Sequence, residues 1–363
     1  MQGLENNYKK RCNMKILRKL IIFLIIFLIS TEIIFAYAFP ARYVFNQRIN
    51  YDVFKDNVYS IELAVKSIKQ TISREKIGNY YIFIGDSVGY GTPCPPDKTI
   101  SSYLNTISKK EGKDVRFFNL ALPSTMFGDY YTVLLLLQKY GVSTDNVILN
   151  FSYWEINAKT PTYWFKHYLK ELDNNSYNKM VESGAIKEDS LWKNIKAEIY
   201  HFANTNIRII GNSGFVTNKI KSTTNNLLRE SEPALSVWSK KADLKNAMTK
   251  PENRWYFSDK KFNLTENGVQ IYFINKIMEL QKDKNILFVL NAANNELLKD
   301  ETSKQGYKDN VDAIEKLFAN KNAKFINYNN KVDYTLFSDH VHLLPDGYSF
   351  IAQDLWNKID KEI

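Results

Sequence analysis

The stretch Tyr81-Ile82-Phe83-Ile84-Gly85-Asp86-Ser87-Val88-Gly89-Tyr90-Gly91 decides the fold of this chain. An apolar, β-prone run ends abruptly in Gly-Asp-Ser, and a glycine-spaced loop follows. The pattern predicts a buried parallel strand that ends at Gly85 and delivers Ser87 to the carboxyl edge of a sheet, where open α/β folds bind their ligands. The tripeptide alone is a weak signal, because Gly, Asp and Ser also form ordinary turns.

A second motif, Phe337-Ser338-Asp339-His340-Val341-His342, lies near the other end of the chain. A serine hydroxyl is a poor nucleophile at neutral pH, so it needs a base and a third group that orients the base. The three-residue spacing predicts that His342 is the base and Asp339 its orienting carboxylate. His340 is adjacent to Asp339, so its side chain points elsewhere. The alternative is a solvated Asp/His turn that caps the final helix.

Together the two motifs resemble the first and last sequence blocks of the SGNH (GDSL-type) hydrolase family. The family has a nucleophilic serine in Gly-Asp-Ser and a late Asp-x-x-His. The resemblance implies a catalytic triad of Ser87, Asp339 and His342. It also implies a flavodoxin-like three-layer α/β sandwich with about five parallel strands, and an enzyme that hydrolyses or transfers acyl esters.

The tetrahedral intermediate of acyl transfer needs hydrogen-bond donors for its oxyanion. The amide of Ser87 is one. The second family block corresponds to Asn119-Leu120-Ala121-Leu122-Pro123, which places Ala121 at the usual glycine and implies its amide as another donor. The third block, Gly-x-Asn-Asp, has no match. Asn150, Ser152 and Asn157 are open alternatives for the missing donor, with Ser152 as the working assignment.

This departure indicates a subgroup. The chain resembles the membrane-anchored SGNH-like proteins of envelope modification, such as the D-alanyl-teichoic-acid (DltD-like) and alginate O-acetylation proteins. The resemblance covers 79–157 and 270–363. It implies transfer of acyl groups, chiefly acetyl, to or from a cell-surface glycan through acyl-Ser87, beside a membrane-bound O-acyltransferase partner. The alternative is a catalytically weak glycan-binding or assembly factor on the same scaffold.

Alternating strand and helix patterns predict a doubly wound parallel sheet. The predicted strands after Gly85 cover 115–119, 146–151, 285–290 and 323–328. The predicted helices cover 58–72, 130–140, 190–202, 268–281, 308–319 and 348–359, and Asp97 is the expected N-cap of a helix that carries Ile100 and Leu104.

The N-terminus predicts a membrane anchor. Residues 1–19 form a basic tail, and 20–39 form an apolar run whose length at ~1.5 Å per residue matches the roughly 30 Å hydrocarbon core. The basic flank should stay in the cytoplasm. We therefore expect a single-pass protein of the cell membrane with an extracytoplasmic catalytic domain. The alternative is a signal peptide cleaved at Ala36-Tyr37-Ala38.

The remaining segments complete the predicted organisation. Residues 40–78 are expected to form a connector helix, 79–157 and 270–363 the catalytic domain, and 158–269 a helical insertion that caps the site. The aromatic residues Tyr163, Trp164, Trp255 and Tyr256 of the insertion are expected to pack in the core or the cap, and stacking on sugar rings is the alternative.

Composition limits the function classes. The 49 Lys and Arg against 39 Asp and Glu give a net charge of +10. Residues 1–19 hold six basic and one acidic residue, hence +5 of it, and the rest is spread without a basic stripe, which argues against nucleic-acid binding. Cys12 and Cys94 are expected on opposite sides of the membrane and cannot pair. Four histidines and no paired cysteine motif predict neither a metal site nor a cofactor.

Overall fold

The computed structural model describes residues 2–38, 44–207, 210, 235–248, 250–321 and 323–359. Within these residues one sheet contains the strands β1 Phe45–Asn46, β2 Arg48–Ile49, β3 Asn79–Gly85, β4 Val115–Asn119, β5 Asn146–Phe151, β6 Asn285–Leu290 and β7 Lys324–Asn327. The α-helices are α1 Gln2–Ala38, α2 Tyr51–Asp56, α3 Ser60–Glu75, α4 Ser87–Tyr90, α5 Ile100–Lys110, α6 Phe127–Lys139, α7 Lys166–Leu172, α8 Asn174–Glu182, α9 Leu191–Asn206, α10 Leu244–Met248, α11 Val269–Leu280, α12 Lys299–Thr302, α13 Gln305–Asn320 and α14 Pro345–Ile359. Short 3₁₀ helices cover Pro96–Lys98, Tyr153–Asn157, Trp238–Lys240, Pro251–Phe257 and Tyr334–Leu336.

The strand order is β1-β2-β4-β3-β5-β6-β7, and β3 to β7 are parallel. The run β4-β3-β5-β6-β7 is the flavodoxin-like order, in which the chain moves first to one side of the starting strand and then to the other. The predicted five-stranded parallel α/β sheet is therefore confirmed. Its switch point lies between the carboxyl ends of β3 and β5, and this is where Ser87 leaves the sheet.

Helices cover both faces of the sheet, which explains why β3 is apolar throughout its second half. Helices α5 and α14 pack together, and α6 packs with α11. The ring of Phe151 on β5 contacts Phe127 of α6 and Phe318 of α13, so these two helices share one face. On the other face Phe117 of β4 contacts Trp356 of α14.

Residues 44–75 belong to the sheet domain, which corrects the prediction of a connector helix over 40–78. β2 pairs with β4, where Arg48 lies opposite Asn119. Phe54 is fully buried, and α3 buries its apolar stripe against the domain and contacts α6. The apolar face of α3, which the sequence periodicity indicated, packs against the sheet domain, so α3 is not a spacer. Residues 40–43 lie outside the described residues.

The start of α5 also differs from the prediction. The N-cap is Thr99, whose hydroxyl accepts a hydrogen bond from the amide of Ser102 at 3.2 Å. Asp97 lies within the preceding 3₁₀ turn, exposed to solvent. Both residue types cap helices well, so the tertiary path of the loop decided between them.

Helix α1 occupies the segment for which we predicted a transmembrane anchor over 20–39; residue 39 lies outside the described residues. In the part of the chain that the structure describes, no helix has both the length and the apolar character needed to cross a membrane.

Among its described residues, the segment 158–269 contains helices α7 to α10 and two 3₁₀ helices joined by irregular segments, and two parts of it pack in different places. Helices α7 to α9 lie beside α6 and α3. The later part lies beside the motif that contains His342, because the amide of Trp238 donates to the Phe337 carbonyl at 3.1 Å and Lys241 donates to the Ser338 hydroxyl at 2.9 Å. Residues 208–209, 211–234 and 249 lie outside the described residues.

Candidate active site

Ser87 lies where β3 turns into the short helix α4. Asp86 caps this helix, and its Oδ1 accepts hydrogen bonds from the amides of Val88 at 2.8 Å and Gly89 at 3.4 Å. Ser87 is the first helical residue, so its own amide has no intrahelical acceptor. Within the described residues no other acceptor is found for that amide. The hydroxyl and the amide of Ser87 are therefore both available at the carboxyl edge of the sheet.

Arg48 holds the chain that follows Ser87. Its guanidinium donates to the carbonyls of Tyr90 at 2.6 Å and Cys94 at 2.9 Å, and it stacks on the Tyr90 ring at 3.9 Å. Burial raises the pKa of the Cys94 thiol to about 11, so that thiol is not an alternative nucleophile. Sequence analysis missed Arg48, since a lone arginine near the N-terminus carries no motif.

The second motif forms a tight turn at the same edge. Phe337 and Leu343 make an antiparallel bridge, which closes the loop between them. Inside it, Oδ1 of Asp339 accepts hydrogen bonds from the amides of Val341 at 3.0 Å and His342 at 2.8 Å. These bonds hold the carboxylate against the backbone and direct its second oxygen toward the imidazole of His342.

Ser87, His342 and Asp339 form a continuous hydrogen-bonded chain. His342 Nε2 lies 2.8 Å from Ser87 Oγ, and His342 Nδ1 lies 2.7 Å from Asp339 Oδ2. Both distances are ordinary hydrogen bonds. The structure thus brings together the three residues that the two motifs singled out, which are 255 positions apart at their extremes.

The ionisation of Asp339 fixes the proton on the histidine. Burial alone would raise the pKa of Asp339, but the hydrogen bond and charge of His342, with a further contribution from His340, lower that pKa well below its usual range. An ionised carboxylate only accepts hydrogen bonds. Nδ1 of His342 must therefore carry the proton, which leaves Nε2 to accept the proton of the Ser87 hydroxyl.

His340 is a separate, half-buried imidazole. Its Nδ1 lies 3.5 Å from Asp339 Oδ1 without making a hydrogen bond, and its ring packs edge-on against Tyr256 and Phe257. Burial lowers the pKa of His340 to about 4, so the ring is neutral at pH 7. A neutral ring among aromatic side chains supports the loop by packing.

Two predicted oxyanion donors are engaged elsewhere. The amide of Ala121 donates to Asn119 Oδ1 at 2.9 Å, so it is not available to a substrate. The hydroxyl of Ser152 donates to Asp86 Oδ2, and its amide donates to Glu155 Oε1 at 2.9 Å. The predictions for Ala121 and Ser152 are corrected here, because each group already has a protein partner that fixes its direction.

The other two alternatives for the third donor differ from each other. The amide group of Asn150 donates to Asp86 Oδ1 at 2.8 Å and to Asn291 Oδ1 at 3.0 Å, entirely beneath the nucleophile loop. Asn157 is exposed at the end of the 3₁₀ helix Tyr153–Asn157. Asn150 therefore supports Asp86 instead of facing a substrate.

Asp86 is the centre of a buried polar network under Ser87. Besides the helix amides, its carboxylate accepts from Asn150, Ser152 and Asn291, the last at 2.9 Å. Asn291 follows β6 directly. It was not among the site residues predicted from the sequence, although polar residues at strand ends were the main signal for those residues. This network fixes the carboxylate that positions the nucleophile helix.

Close packing against Asn150 explains two glycines of the opening stretch. A Cβ on Gly85 would lie 1.6 Å from Asn150 Oδ1, and one on Gly89 would lie 1.9 Å from it. Asn150 Oδ1 itself is buried and makes no hydrogen bond. Both positions need glycine because the Asn150 side chain lies between the two backbone segments.

The sequence matches no protein-family profile and no curated protein. In structure the chain is similar to a member of the lipolytic protein G-D-S-L family from Veillonella parvula DSM 2008, with 10% identity, a TM-score of 0.37, and coverage of 79% of this chain and 100% of that one. It is similar to a two-domain esterase (CEX) active on acetylated mannans, with 12% identity, a TM-score of 0.34, and coverage of 81% and 52%. It is also similar to the periplasmic domain of a Salmonella ser. Paratyphi A lipopolysaccharide acetyltransferase, with 13% identity, a TM-score of 0.32, and coverage of 86% and 97%. Likenesses this remote do not assign a family or a substrate to this chain.

Proposed function

We propose that this protein is a serine-dependent esterase or O-acyltransferase of SGNH type that works through an acyl-Ser87 intermediate. The observation that carries the proposal is the position of His342, whose two ring nitrogens bond Ser87 and Asp339 at once. A solvated turn that merely caps α14 would not require this chain of bonds.

The mechanism follows from the proton positions. Ser87 Oγ attacks the acyl carbon and gives its proton to His342 Nε2, while the Asp339 carboxylate stabilises the imidazolium. His342 then donates that proton to the leaving alcohol, which departs and leaves the acyl group on Ser87. Water or an acceptor hydroxyl, deprotonated by His342, attacks the acyl carbon and restores the serine.

The oxyanion is stabilised by the amide of Ser87 and, we propose, by the amide of Ser124. Ser124 has a left-handed backbone, with φ of 64°, in the loop after β4. That loop is held to the nucleophile strand, because the amide of Leu122 donates to the Gly85 carbonyl at 2.9 Å and the hydroxyl of Thr125 donates to it at 2.8 Å. No acceptor for the Ser124 amide is found within the described residues. This amide takes the role that the sequence assigned to Ala121.

A sugar ester is the substrate class that the surroundings of His342 favour. Trp154, Trp255 and Tyr256 form an aromatic wall: Trp255 stacks on Tyr256 with ring centroids 3.9 Å apart, and Trp154 stands edge-on to both. Tyr256 contacts His340, which is 6.1 Å from the His342 ring. Trp255 is 48% exposed. The exposed Trp255 ring, connected to His342 through Tyr256 and His340, offers a surface for the apolar face of a sugar.

We further propose that the acyl group is acetyl, that the acceptor or donor is a cell-surface polysaccharide, and that a membrane-bound O-acyltransferase is a partner. In this proposal residues 20–39 hold the protein at a lipid bilayer, with the domain extracytoplasmic. The support is the chain itself: basic residues precede a run whose apolar side chains, from Leu20 to Ile29, are exposed. Membrane fractionation of the full chain against a chain lacking residues 1–39 tests this part separately.

The decisive experiment detects covalent modification of Ser87. A fluorophosphonate should label the full-length chain on Ser87, and an activated acetyl ester should give a burst of product with the acyl group on the peptide containing Ser87. A glycan acceptor should accelerate the slow phase that follows, because a bound hydroxyl gains an effective molarity that can reach ~10⁵ M. Absence of labelling in a folded chain would overturn the proposal. It would favour the alternative, a glycan-binding or assembly factor, which the lack of an asparagine donor of the third block already suggests.

A further inference from the structure

Three side chains of metal-ligand type meet on the insertion helices. His167 and Glu171 lie one turn apart on α7, and His201 comes from α9. Each offers one ligand atom, and these atoms all lie within 4.8 Å of one another. None of the three takes part in the chemistry of Ser87.

The buried carboxylate of Glu62 on α3 orients His201. Nε2 of His201 lies 2.8 Å from Oε1 of Glu62, and Glu62 also accepts a hydrogen bond from the hydroxyl of Tyr140. These bonds fix the direction of the His201 ring and leave its Nδ1 toward Glu171 of α7.

The second nitrogen of His201 faces another carboxylate. Nδ1 lies 3.6 Å from Glu171 Oε2. A cation between these two atoms would be bound by both of them, and a direct ion pair between the two side chains is the alternative.

His167 favours the cation. Its ring stands at 81° to that of His201, with centroids 5.6 Å apart. Zn–N bonds of ~2.1 Å place the centroids of two imidazoles on one tetrahedral ion roughly 5 Å apart. An ion pair between His201 and Glu171 gives the ring of His167 no role. Two neutral imidazoles and a carboxylate, by contrast, are a common donor set for Zn²⁺.

We propose that His167, Glu171 and His201 bind a divalent transition-metal ion of the Zn²⁺ class, with Glu62 as the carboxylate that orients His201. The three protein ligands leave a fourth position for water. The carboxylate–histidine–metal arrangement is the usual way in which proteins fix a ligating imidazole. This site goes beyond the proposed function and does not depend on it.

Two features bear on how the ion would fit. Ligand atoms on a tetrahedral Zn²⁺ are roughly 3.4 Å apart, so separations of up to 4.8 Å must close by at most about 1.4 Å. The exposed side chain of Glu171 can supply that movement by rotation. Lys139 pairs with Glu171 Oε1 at 2.8 Å, which leaves Oε2 directed toward His201. Binding would tie α7 and α9 to α3, and so attach the insertion to the sheet domain.

The test uses the full-length chain, freed of metal with EDTA and then titrated with ZnCl₂ by calorimetry. We expect one Zn²⁺ per chain and a rise in Tm of a few degrees with saturating metal. Co²⁺ in place of Zn²⁺ should give the intense visible absorption of a tetrahedral site. His167→Gln should weaken binding at least 100-fold, and Glu62→Gln roughly 10–100-fold. Glu182→Gln, at an exposed position of α8, is the control for the glutamate substitutions and should bind Zn²⁺ as the wild type does.

The competing outcome is an ion triad in which a doubly protonated His201 bridges Glu62 and Glu171. In that case ZnCl₂ would leave Tm unchanged, and His201→Gln would lower Tm equally with and without EDTA. This result overturns the proposal, as does equal Zn²⁺ affinity in wild type and the double variant His167→Gln/Glu171→Gln. Because His167 contributes no hydrogen bond to Glu62, His167→Gln tests the site even where His201→Gln fails to fold.

Discussion

Two histidines in this molecule each have one ring nitrogen hydrogen-bonded to a carboxylate, and they differ in the group that faces the other nitrogen. In the first, Nδ1 of His342 lies 2.7 Å from Asp339 and Nε2 lies 2.8 Å from the hydroxyl of Ser87. The partner of the second nitrogen is thus a group that can give up a proton. Such an arrangement performs proton transfer.

In the second, Nε2 of His201 lies 2.8 Å from Glu62 and Nδ1 lies 3.6 Å from the carboxylate of Glu171. The second nitrogen therefore faces a ligand group instead of a nucleophile, and in the site proposed above it binds a cation. The comparison teaches that the carboxylate–histidine pair sets only the tautomer of the ring. The chemistry is decided by the group opposite the second nitrogen.

The largest effect is expected when the hydroxyl of Ser87, the group that distinguishes the first histidine from the second, is removed. Ser87→Ala should reduce turnover of p-nitrophenyl acetate by roughly 10⁴-fold or more, and His342→Ala by a similar factor, because nucleophile and base act as a unit. The double variant should be no worse than either single one. Ser73→Ala, at an exposed serine of α3, is the matched control. Full turnover in a folded Ser87→Ala variant would remove Ser87 from the mechanism.

The orienting carboxylate should matter somewhat less than the nucleophile. Asp339→Asn should lower kcat by about 10³–10⁴-fold with little change in Tm, because an amide can donate to Nδ1 and hold the wrong tautomer. Steady-state kinetics beside a thermal melt would measure both quantities. A loss of kcat below tenfold would mean that Asp339 only shapes the loop.

Removing the carboxylate of the Glu62–His201 pair should change the free energy of unfolding instead of the turnover. The folded-state pKa of Glu62, about 2, is below its ordinary value of 4.5, so its contribution is present above pH 4.5 and is lost as the pH falls toward 2. A shift of this size corresponds to about 3 kcal/mol. Urea unfolding at pH 7, 4.5 and 3 should show a steeper loss of stability in wild type than in Glu62→Gln. Equal pH dependence in the two proteins would contradict the assignment.

The smallest effect is expected at the neighbouring histidine. His340→Ala should change turnover by less than about tenfold at pH 7, since the ring is neutral and makes no hydrogen bond to Asp339 through Nδ1. Its loss from among aromatic rings should instead lower Tm. If His340 proved as essential as His342, the Asp-x-x-His register would be wrong.

Sequence alone determined the five parallel strands β3 to β7 and the two motifs that meet at their carboxyl edge. The apolar runs that end at Gly85, Asn119, Phe151 and Leu290 are local signals, and a parallel sheet brings such strand ends to one side. The spacing of Asp339 and His342 is equally local, because one turn of chain is enough to direct both side chains. Ser87 and the turn therefore met as the two motifs implied.

Only the tertiary structure decided which polar groups remain available at that edge. The amide of Ala121 could have faced a substrate, but Asn119 accepts it, and Ser152 bonds Asp86 in the same way. Likewise Arg48 reaches the nucleophile loop across 42 positions of sequence. A hydrogen-bonding group takes whichever partner the packed fold brings nearest, and that choice depends on residues far away in the chain.

The histidine clusters show the same division. His342 and its carboxylate are three residues apart, so a motif could reveal them, whereas His201 and Glu62 are separated by 139 positions on two helices. Helical periodicity could predict α3 and most of α9, but it could not predict which faces would pack together. Sequence fixes the donors and acceptors that each helix carries; the packing of helices, driven by burial of their apolar faces, selects which of them come within bonding distance.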